Sequence, residues 1–300
     1  MWSGRCTSSL RAGCSLTPRS SGAPTACNAG HQALGLRPIL RLLSSAPCRR
    51  RPLSSNVRPQ KMNPWDLNET YLLVKRLFGR DQEVLARESA RSVTDRQASS
   101  SYHFVETMRL SKVFERNHLV GTQTILELHV EGAEKKQRAF QAYMVKAGAH
   151  SLAAVQSLHA IPDIFAHALY FASGQNLRSN ALDESKVSLP SVAICPKRDP
   201  RFKTLSSPLQ SIQSGRGWSH LAAVSNMGKH RSVVRASYNE DWTGKRTKVR
   251  ELQVSDFKRN GKHYPAVGLR DLLEPEYERI MRTVISIGNE LNTCLRAAAA

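Results

Sequence analysis

TQTILELHV, residues 122–130, carries the strongest strand signal in the chain. Its β-branched and apolar residues alternate with polar ones, which is the pattern of a strand that buries one face. After a plausible turn at Glu131-Gly132, residues 137–145 again place three apolar side chains on one face: Phe140, Ala142 and Met144. The sequence therefore predicts a β-hairpin over residues 122–146, the best-defined part of a strand meander that begins near residue 101.

A helical region follows these strands, and another ends the chain. Residues 151–173 form an apolar run that is interrupted by Pro162 and ended by Gly174. Residues 275–295 carry one apolar stripe, with Pro275 at the start of the helix. We expect five side chains of these helices in the core: Val155, Phe165, Ile280, Val284 and Ile287.

Further strands are predicted between the two helices. The pattern indicates strands at residues 187–194, 218–224, 231–238 and 245–254, a turn at residues 226–228, and a tight hairpin at Asn260-Gly261 that leads into residues 263–267. Strands followed by a helix thus occur twice, in the halves 101–175 and 185–295. This order predicts an α+β fold with two antiparallel β-sheets, each followed by a helix.

Residues 54–100 are predicted to form a short helical N-terminal appendage to this domain, which spans residues 101–300. Asp66 and Glu69 make a capping pair, and the apolar residues behind them recur at helical spacing: Leu67, Tyr71, Val74 and Phe78.

The first 65 residues contain no Asp or Glu but carry nine Arg and one Lys. An acid-free, basic, Ser-rich N-terminus is typical of a mitochondrial transit segment. Two Arg-x-Leu-Ser-Ser sequences, which begin at Arg41 and Arg51, resemble the matrix-protease cleavage pattern and predict cleavage after Leu43 or Leu53. We therefore interpret residues 1–53 as the transit segment and expect a mitochondrial matrix protein. The alternative is a disordered basic tail that binds nucleic acid or acidic surfaces.

The mature chain stays basic after the leader is removed. Residues 66–300 keep 34 of the 44 Lys and Arg and all 24 Asp and Glu, a net charge of +10. Such a surplus favours a polyanionic partner, because contacts to phosphates release counterions. The alternative is a basic subunit that sits against acidic neighbours in a large assembly. No apolar run approaches the roughly 18 residues that a transmembrane segment needs.

The basic residues concentrate between Lys229 and Lys262, where ten Lys and Arg face only four acidic residues. If residues 245–254 form a strand, Arg246, Lys248 and Arg250 share one face of it. Aromatic residues nearby could stack on unpaired bases. The predicted nucleic-acid-binding residues are Lys229, Arg231, Arg235, Trp242, Lys245, Arg246, Lys248 and Arg250. The structural alternative is a solvated face, with Trp218 and Tyr238 buried.

Signals for catalysis or cofactor binding are weak. Cys195 and Cys294 are the only cysteines beyond the leader, and neither has the spacing of a zinc ligand. Gly215-Arg216-Gly217 lacks the third glycine of a dinucleotide fingerprint, and no phosphate-binding loop motif occurs. We therefore expect no enzyme, no cofactor and no metal.

The segment His263-Tyr264-Pro265-Ala266-Val267, followed by Glu274 and a helix, resembles the closing segment of Whirly-type single-strand binders and kinetoplastid mitochondrial RNA-binding proteins. With the element order, this resemblance covers about residues 101–295 and implies two four-stranded sheets that bind single-stranded nucleic acid. Met227-Gly228-Lys229-His230 only distantly matches the family's Lys-Gly-Lys-Ala-Ala-Leu motif and lies in the wrong half.

These features together predict a non-catalytic mitochondrial RNA-binding protein that acts in a ribonucleoprotein, either in the mitochondrial ribosome or in RNA processing. Its expected partners are single-stranded or ribosomal RNA and the protein subunits of a large mitochondrial assembly. The alternative is an accessory subunit of an inner-membrane respiratory or ATP-synthase complex, in which the basic face meets acidic subunits or cardiolipin.

Overall fold

The computed structural model describes residues 33–34, 63–121, 123–194, 199–243 and 248–300. The predicted transit segment therefore lies almost entirely outside the described residues. In chain order the strands are β1 Ala33–Leu34, β2 Trp65–Asp66, β3 Ala236–Glu240, β4 Arg250–Val254, β5 Phe257–Arg259, β6 Lys262–Tyr264 and β7 Val267–Gly268. The helices are α1 Leu67–Phe78, α2 Arg80–His118, α3 Glu134–Ala172, α4 Leu189–Val192, α5 Ser206–Ser211, α6 Arg216–His230 and α7 Leu269–Ala299. The fold is thus mostly helical with small antiparallel sheets.

The long helices α2 and α3 form the largest packing interface. Small side chains let their backbones approach closely, and Ser100 Oγ donates a hydrogen bond across the interface to the carbonyl of Ala154 at 3.1 Å. Ser99 and Ser157 exchange a second hydrogen bond at 3.1 Å. Pro162 lies inside α3, so the predicted break there is wrong, whereas the predicted end at Gly174 is confirmed by its left-handed φ of 65°.

The predicted strand meander over residues 101–146 is wrong. Residues 101–118 belong to α2, Ile125–His129 form a 3-10 helix, and residues 137–146 belong to α3. Apolar residues in this region also recur at helical spacing: Phe140, Tyr143 and Ala147 all lie in the hydrophobic core or pack against it. A short run of apolar residues fits both periods, and packing against α2 selects the helix.

The N-terminal helical segment is part of the core rather than an appendage. Its helical prediction is confirmed, and Asp66 caps α1 by accepting a hydrogen bond from the backbone N–H of Glu69 at 3.1 Å. Trp65, Leu67 and Val74, however, are almost completely buried. The boundary predicted at residue 101 falls inside the continuous helix α2.

Helix α7 lies at the centre of the core, as the final apolar stripe predicts. Ile280, Val284 and Ile287 are fully buried, and so are Val155 and Phe165 of α3. The helix begins at Leu269 rather than at Pro275, which lies within it. These helices pack largely against other helices, because the described strands are few and short.

Two further strand predictions are wrong. Residues 189–192 form the short helix α4, and Trp218 to Val224, with the predicted turn at residues 226–228, lie within α6. Trp218, Leu221 and Val224 recur every three residues and are buried, which is the pattern of an amphipathic helix.

Among the described residues, the sheets lie near the C-terminal end of the chain, apart from the short β1–β2 pair. β3, β4 and β7 form one antiparallel sheet in the order β3-β4-β7. β5 and β6 form the hairpin that Asn260-Gly261 predicted, and both turn residues adopt positive φ values of 49° and 76°. The predicted detail of two sheets, each followed by a helix in the halves 101–175 and 185–295, is not confirmed.

Candidate nucleic-acid interface

Three of the predicted cations lie together and are exposed. Lys229 is in the last turn of α6, and Arg231 and Arg235 belong to the segment that connects α6 to β3. Within the described part of the chain, none of the three forms a salt bridge with a carboxylate. Their charges are therefore available to an external anion.

The β5–β6 hairpin adds three cations: Lys258, Arg259 and Lys262. They too lack a salt bridge to any described carboxylate, and the carboxylate of Asp256 lies 3.5 Å from His263 Nε2 instead. Phe257 and Tyr264 stack on each other at the base, with ring centroids 4.9 Å apart and an interplanar angle of 7°. Both rings also contact His220 of α6, at 5.8 and 5.4 Å between centroids. The hairpin is thus held against α6.

The two groups of cations are neighbours. The backbone N–H of Ser255 donates to the carbonyl of Arg235 at 3.0 Å, and β5 begins two residues later. Arg235 therefore lies beside the base of the hairpin. We call this group the basic surface, and its members are Lys229, Arg231, Arg235, Lys258, Arg259 and Lys262.

Two histidines next to the basic surface show its effect. Burial lowers the pKa of His159, and the charge of Lys229 lowers it further, while that of Asp163 opposes the shift. Burial and the charge of Lys262 likewise lower the pKa of His220. Burial and the neighbouring lysines thus both favour the neutral form of these two rings.

Lys248 and Arg250 do not belong to this surface, contrary to the prediction. Lys248 Nζ contacts Glu251 Oε1 at 2.9 Å and Asp271 Oδ1 at 2.8 Å. Arg250 Nε donates to Glu240 Oε1 at 2.8 Å. Both cations are therefore neutralised within the protein, and the proposed row of Arg246, Lys248 and Arg250 on one strand face is not observed for its described members. Lys245 and Arg246 lie outside the described residues.

Arg250 is a structural cation. Besides its ion pair, it donates to the carbonyl of Leu119 at 2.9 Å and to that of Gln123. These carbonyls belong to the connection between α2 and α3, and Glu240 accepts a hydrogen bond from the backbone N–H of Ile125 in the same connection at 2.9 Å. The Arg250–Glu240 pair thus fastens this connection to the β3–β4 sheet.

The aromatic residues near the cations divide into buried and exposed ones. Trp218 is buried against His159, and Tyr238 lies in the aromatic cluster with Phe114 and Tyr143. Burial, followed by the hydrogen bond that Tyr238 donates to Glu115 at 2.7 Å, raises the pKa of Tyr238 well above its usual range. Trp242 is 56% exposed, and its Nε1 donates to Glu240 at 3.1 Å. It lies beyond the opposite end of β3 from Arg235.

The remaining clusters offer less to a ligand. A cavity of about 180 Å³ between α2, β4 and α7 is lined by Lys248, Arg250 and Arg270, but each of these is paired with a carboxylate. His103 and His150 approach to 2.8 Å between their Nδ1 atoms. Across the described ranges, no three His, Cys, Asp or Glu side chains are arranged to hold a metal ion.

The hairpin cations were absent from the predicted site, although the sequence signal was present. Lys258-Arg259-Asn260-Gly261-Lys262 places three cations directly around a predicted tight turn. A hairpin that projects charged residues at its tip presents them to solvent, whereas Lys248 and Arg250 near acidic neighbours had partners available.

No protein-family model, curated protein or solved structure matches the chain. Its function is therefore inferred from the geometry and charge of its own residues.

Proposed function

We propose that this is a non-catalytic mitochondrial matrix protein that binds RNA through the basic surface and acts within a ribonucleoprotein. The observation that carries the proposal is the grouping of six cations without described carboxylate partners around α6 and the β5–β6 hairpin. The acid-free leader supports the mitochondrial destination.

The energetics of this surface suit a polyanion. An exposed cation that already has a carboxylate partner must lose it before it can bind a phosphate, whereas an unpaired one exchanges only water and mobile counterions. Lys248 and Arg250 are in the first situation and the basic surface is in the second. Contacts to phosphate position a protein on RNA, and shape or partner proteins then supply specificity.

A charge-matched pair of variants tests the proposal. In Lys229→Ala/Arg231→Ala/Arg235→Ala, RNA affinity should fall for unrelated RNA sequences, and the slope of log affinity against log salt should flatten by about 0.7 to 0.9 per lost contact. Electrophoretic mobility shifts or fluorescence anisotropy over a range of KCl concentrations measure both quantities.

The control is Lys75→Ala/Arg76→Ala/Arg80→Ala, which removes three exposed cations around the α1–α2 turn. Phe78 of that turn packs beside Gly174, just beyond the C-terminal end of α3. Gly148, within α3, instead lies beside Ala236, which follows Arg235 of the basic surface. The 26 residues between the two glycines correspond to about 39 Å along a helix. Equal losses in both variants would contradict a localised RNA surface, and no RNA affinity in the native protein would refute the proposal.

A second candidate function is that of an accessory subunit in an inner-membrane respiratory or ATP-synthase complex. It is favoured by exposed apolar side chains of the α2–α3 connection, Val120, Leu126 and Val130, and of the ends of β3 and β4 remote from Arg235, Trp242 and Val249. The connection is fastened to these strand ends by Glu240 and Arg250. Exposed apolar surface of this kind is typical of a contact with another protein. None of the described helices combines the length and apolar character that a bilayer-spanning segment needs.

Sedimentation of mitochondrial lysates separates the two candidates. A ribonucleoprotein component should co-sediment with large particles that disappear after RNase treatment. A subunit of a membrane complex should sediment in a detergent-dependent and RNase-resistant form. The second outcome would favour the accessory-subunit function over RNA binding.

A further inference from the structure

The basic surface offers phosphate-binding groups, whereas the Phe and Tyr rings at the hairpin base are engaged with each other. Phe257 and Tyr264 stack there. Lys262 Nζ lies over the Tyr264 ring, 5.1 Å from its centroid, and His220 packs against both rings. A base could therefore enter between these two rings only after the hairpin had been rearranged.

Exposed aromatic residues lie elsewhere. In the described part of the chain, Tyr102 and Trp242 are the only Phe, Tyr or Trp side chains more than half exposed, at 61% and 56%. Trp242 is seven residues from Arg235 along an extended segment, which corresponds to about 23 Å. The internal segments that the structure does not describe, 122, 195–198 and 244–247, contain no aromatic residue in the sequence.

Tyr102 is on the other side of α3 from the sheet. It contacts the rings of His103 and His150. His150 is two residues beyond Gly148, and this places it about 200° around the helix from the side on which Gly148 meets Ala236. Neither exposed aromatic residue can thus share a ligand strand with the hairpin cations over a short distance.

This arrangement distinguishes two kinds of RNA. Proteins that bind single strands combine cations with aromatic platforms, each worth about 1–3 kcal/mol per stacked base. Bases in a double strand are already stacked and paired, and such RNA is recognised through phosphates, 2′-hydroxyls and shape. We propose that the basic surface binds double-stranded segments of folded RNA rather than single strands. This inference rests on the proposed RNA-binding function and names the class of RNA.

The extent of the surface is consistent with a duplex. His220, which contacts the hairpin base, and Lys229 are nine residues apart on α6, or about 13 Å along the helix. The hairpin continues the positive charge beyond His220 through Lys258, Arg259 and Lys262. A duplex presents about twice the phosphate charge of a single strand over the same length, so it engages more of these cations at once.

The test compares two probes on the full mature protein: an RNA duplex of about 20 base pairs and a single-stranded oligouridine of the same length. Fluorescence anisotropy at about 150 mM KCl should show at least about tenfold tighter binding of the duplex. Lys258→Ala/Arg259→Ala/Lys262→Ala should lower duplex affinity about 100-fold, since at this salt concentration each phosphate contact is worth roughly fivefold. Lys229→Ala/Arg231→Ala/Arg235→Ala should give a comparable loss, which covers the case that the hairpin variant misfolds.

Trp242→Ala and Tyr102→Ala are the matched aromatic variants, and both should bind the two probes as the native protein does. Oligouridine binding that equals or exceeds duplex binding, or a loss of affinity in either aromatic variant, would overturn the inference while leaving RNA binding in place. Duplex binding that is insensitive to both cation variants would also overturn it. If neither probe bound the native protein, the proposed function itself would fail.

Discussion

Replacement of Arg250 by alanine should destabilise the fold without removing a ligand contact. The Arg250 side chain is 19% exposed and the Glu240 side chain only 6%. The substitution leaves a nearly buried carboxylate without its cation, and the carbonyls of Leu119 and Gln123 without their donor. Each lost hydrogen bond from a charged donor is worth about 1.5–3 kcal/mol in favourable cases.

The expected loss is smaller than the sum of these contributions. Removal of one partner from a completely buried ion pair costs about 3–5 kcal/mol. Water reaches Arg250 in part, and Glu240 keeps the backbone N–H of Ile125 and the indole N–H of Trp242 as donors. We therefore expect about 2–3 kcal/mol, which lowers the melting temperature of a domain of this size by roughly 4–12 °C.

Thermal and urea denaturation followed by circular dichroism measure this loss, with Arg231→Ala as the control. Arg231 is exposed, and loss of its side chain should change stability by less than about 0.5 kcal/mol. RNA binding of folded Arg250→Ala should retain the salt dependence of the native protein, because its guanidinium faces Glu240 rather than solvent. A melting temperature within about 1 °C of the native value would show that the ion pair does not hold the α2–α3 connection, and a flattened salt slope would return Arg250 to the RNA-binding surface.

Three further predictions follow from individual contacts. Gly288→Ala should destabilise the protein by about 1–3 kcal/mol in urea unfolding, because the new methyl group would lie 2.2 Å from Trp65 Cδ2. In the control Gly148→Ala the nearest neighbour lies at 4.0 Å, so this substitution should be neutral or stabilise by up to about 1 kcal/mol. Equal effects of the two substitutions would contradict the packing of Trp65 against Gly288. Burial lowers the pKa values of His159 and His220, so the unfolded chain binds more protons than the folded one below the ordinary His pKa of about 6.5. The free energy of unfolding should therefore fall as the pH is lowered from about 7 to 5. His159→Phe should reduce this pH dependence, and an unchanged pH profile would contradict the burial of that ring. Gly261→Ala should destabilise the β5–β6 turn by about 1 kcal/mol, since Gly261 has a φ of 76°. It should weaken RNA binding more than Asn260→Gly, which keeps the turn. Equal RNA affinity of both variants would show that RNA binding does not depend on the hairpin.

Local sequence signals succeeded where the structure is determined by neighbours along the chain. Asn260-Gly261 specified its hairpin because few residues adopt two successive positive φ values. Asp66 specified the start of α1 because its side chain accepts a hydrogen bond three residues ahead. The stripe of α7 was long enough, over Tyr277 to Leu291, to distinguish a helical period from a strand period.

The sequence patterns predicted the wrong secondary structure where a short apolar run fits both the helical and the strand period. Residues 122–146 alternate like a strand, yet Leu126 is 56% exposed and Leu128 is buried in a 3-10 helix. Phe140 and Tyr143 instead pack against Phe114 of α2 and Tyr238 of β3, which are distant in sequence. Packing against these partners selected the helix, and nothing within the segment itself identifies them.

The candidate site shows the same division. The sequence by itself determined the net charge, its concentration between Lys229 and Lys262, and the tight turn that carries three of the cations. Only the tertiary structure decided which cations are free, because that depends on carboxylates brought in from elsewhere: Asp271 of α7 reaches Lys248, and Glu240 of the neighbouring strand reaches Arg250. A charge is specified by its residue type, but its availability depends on which opposite charges the folded chain places within a few ångströms of it.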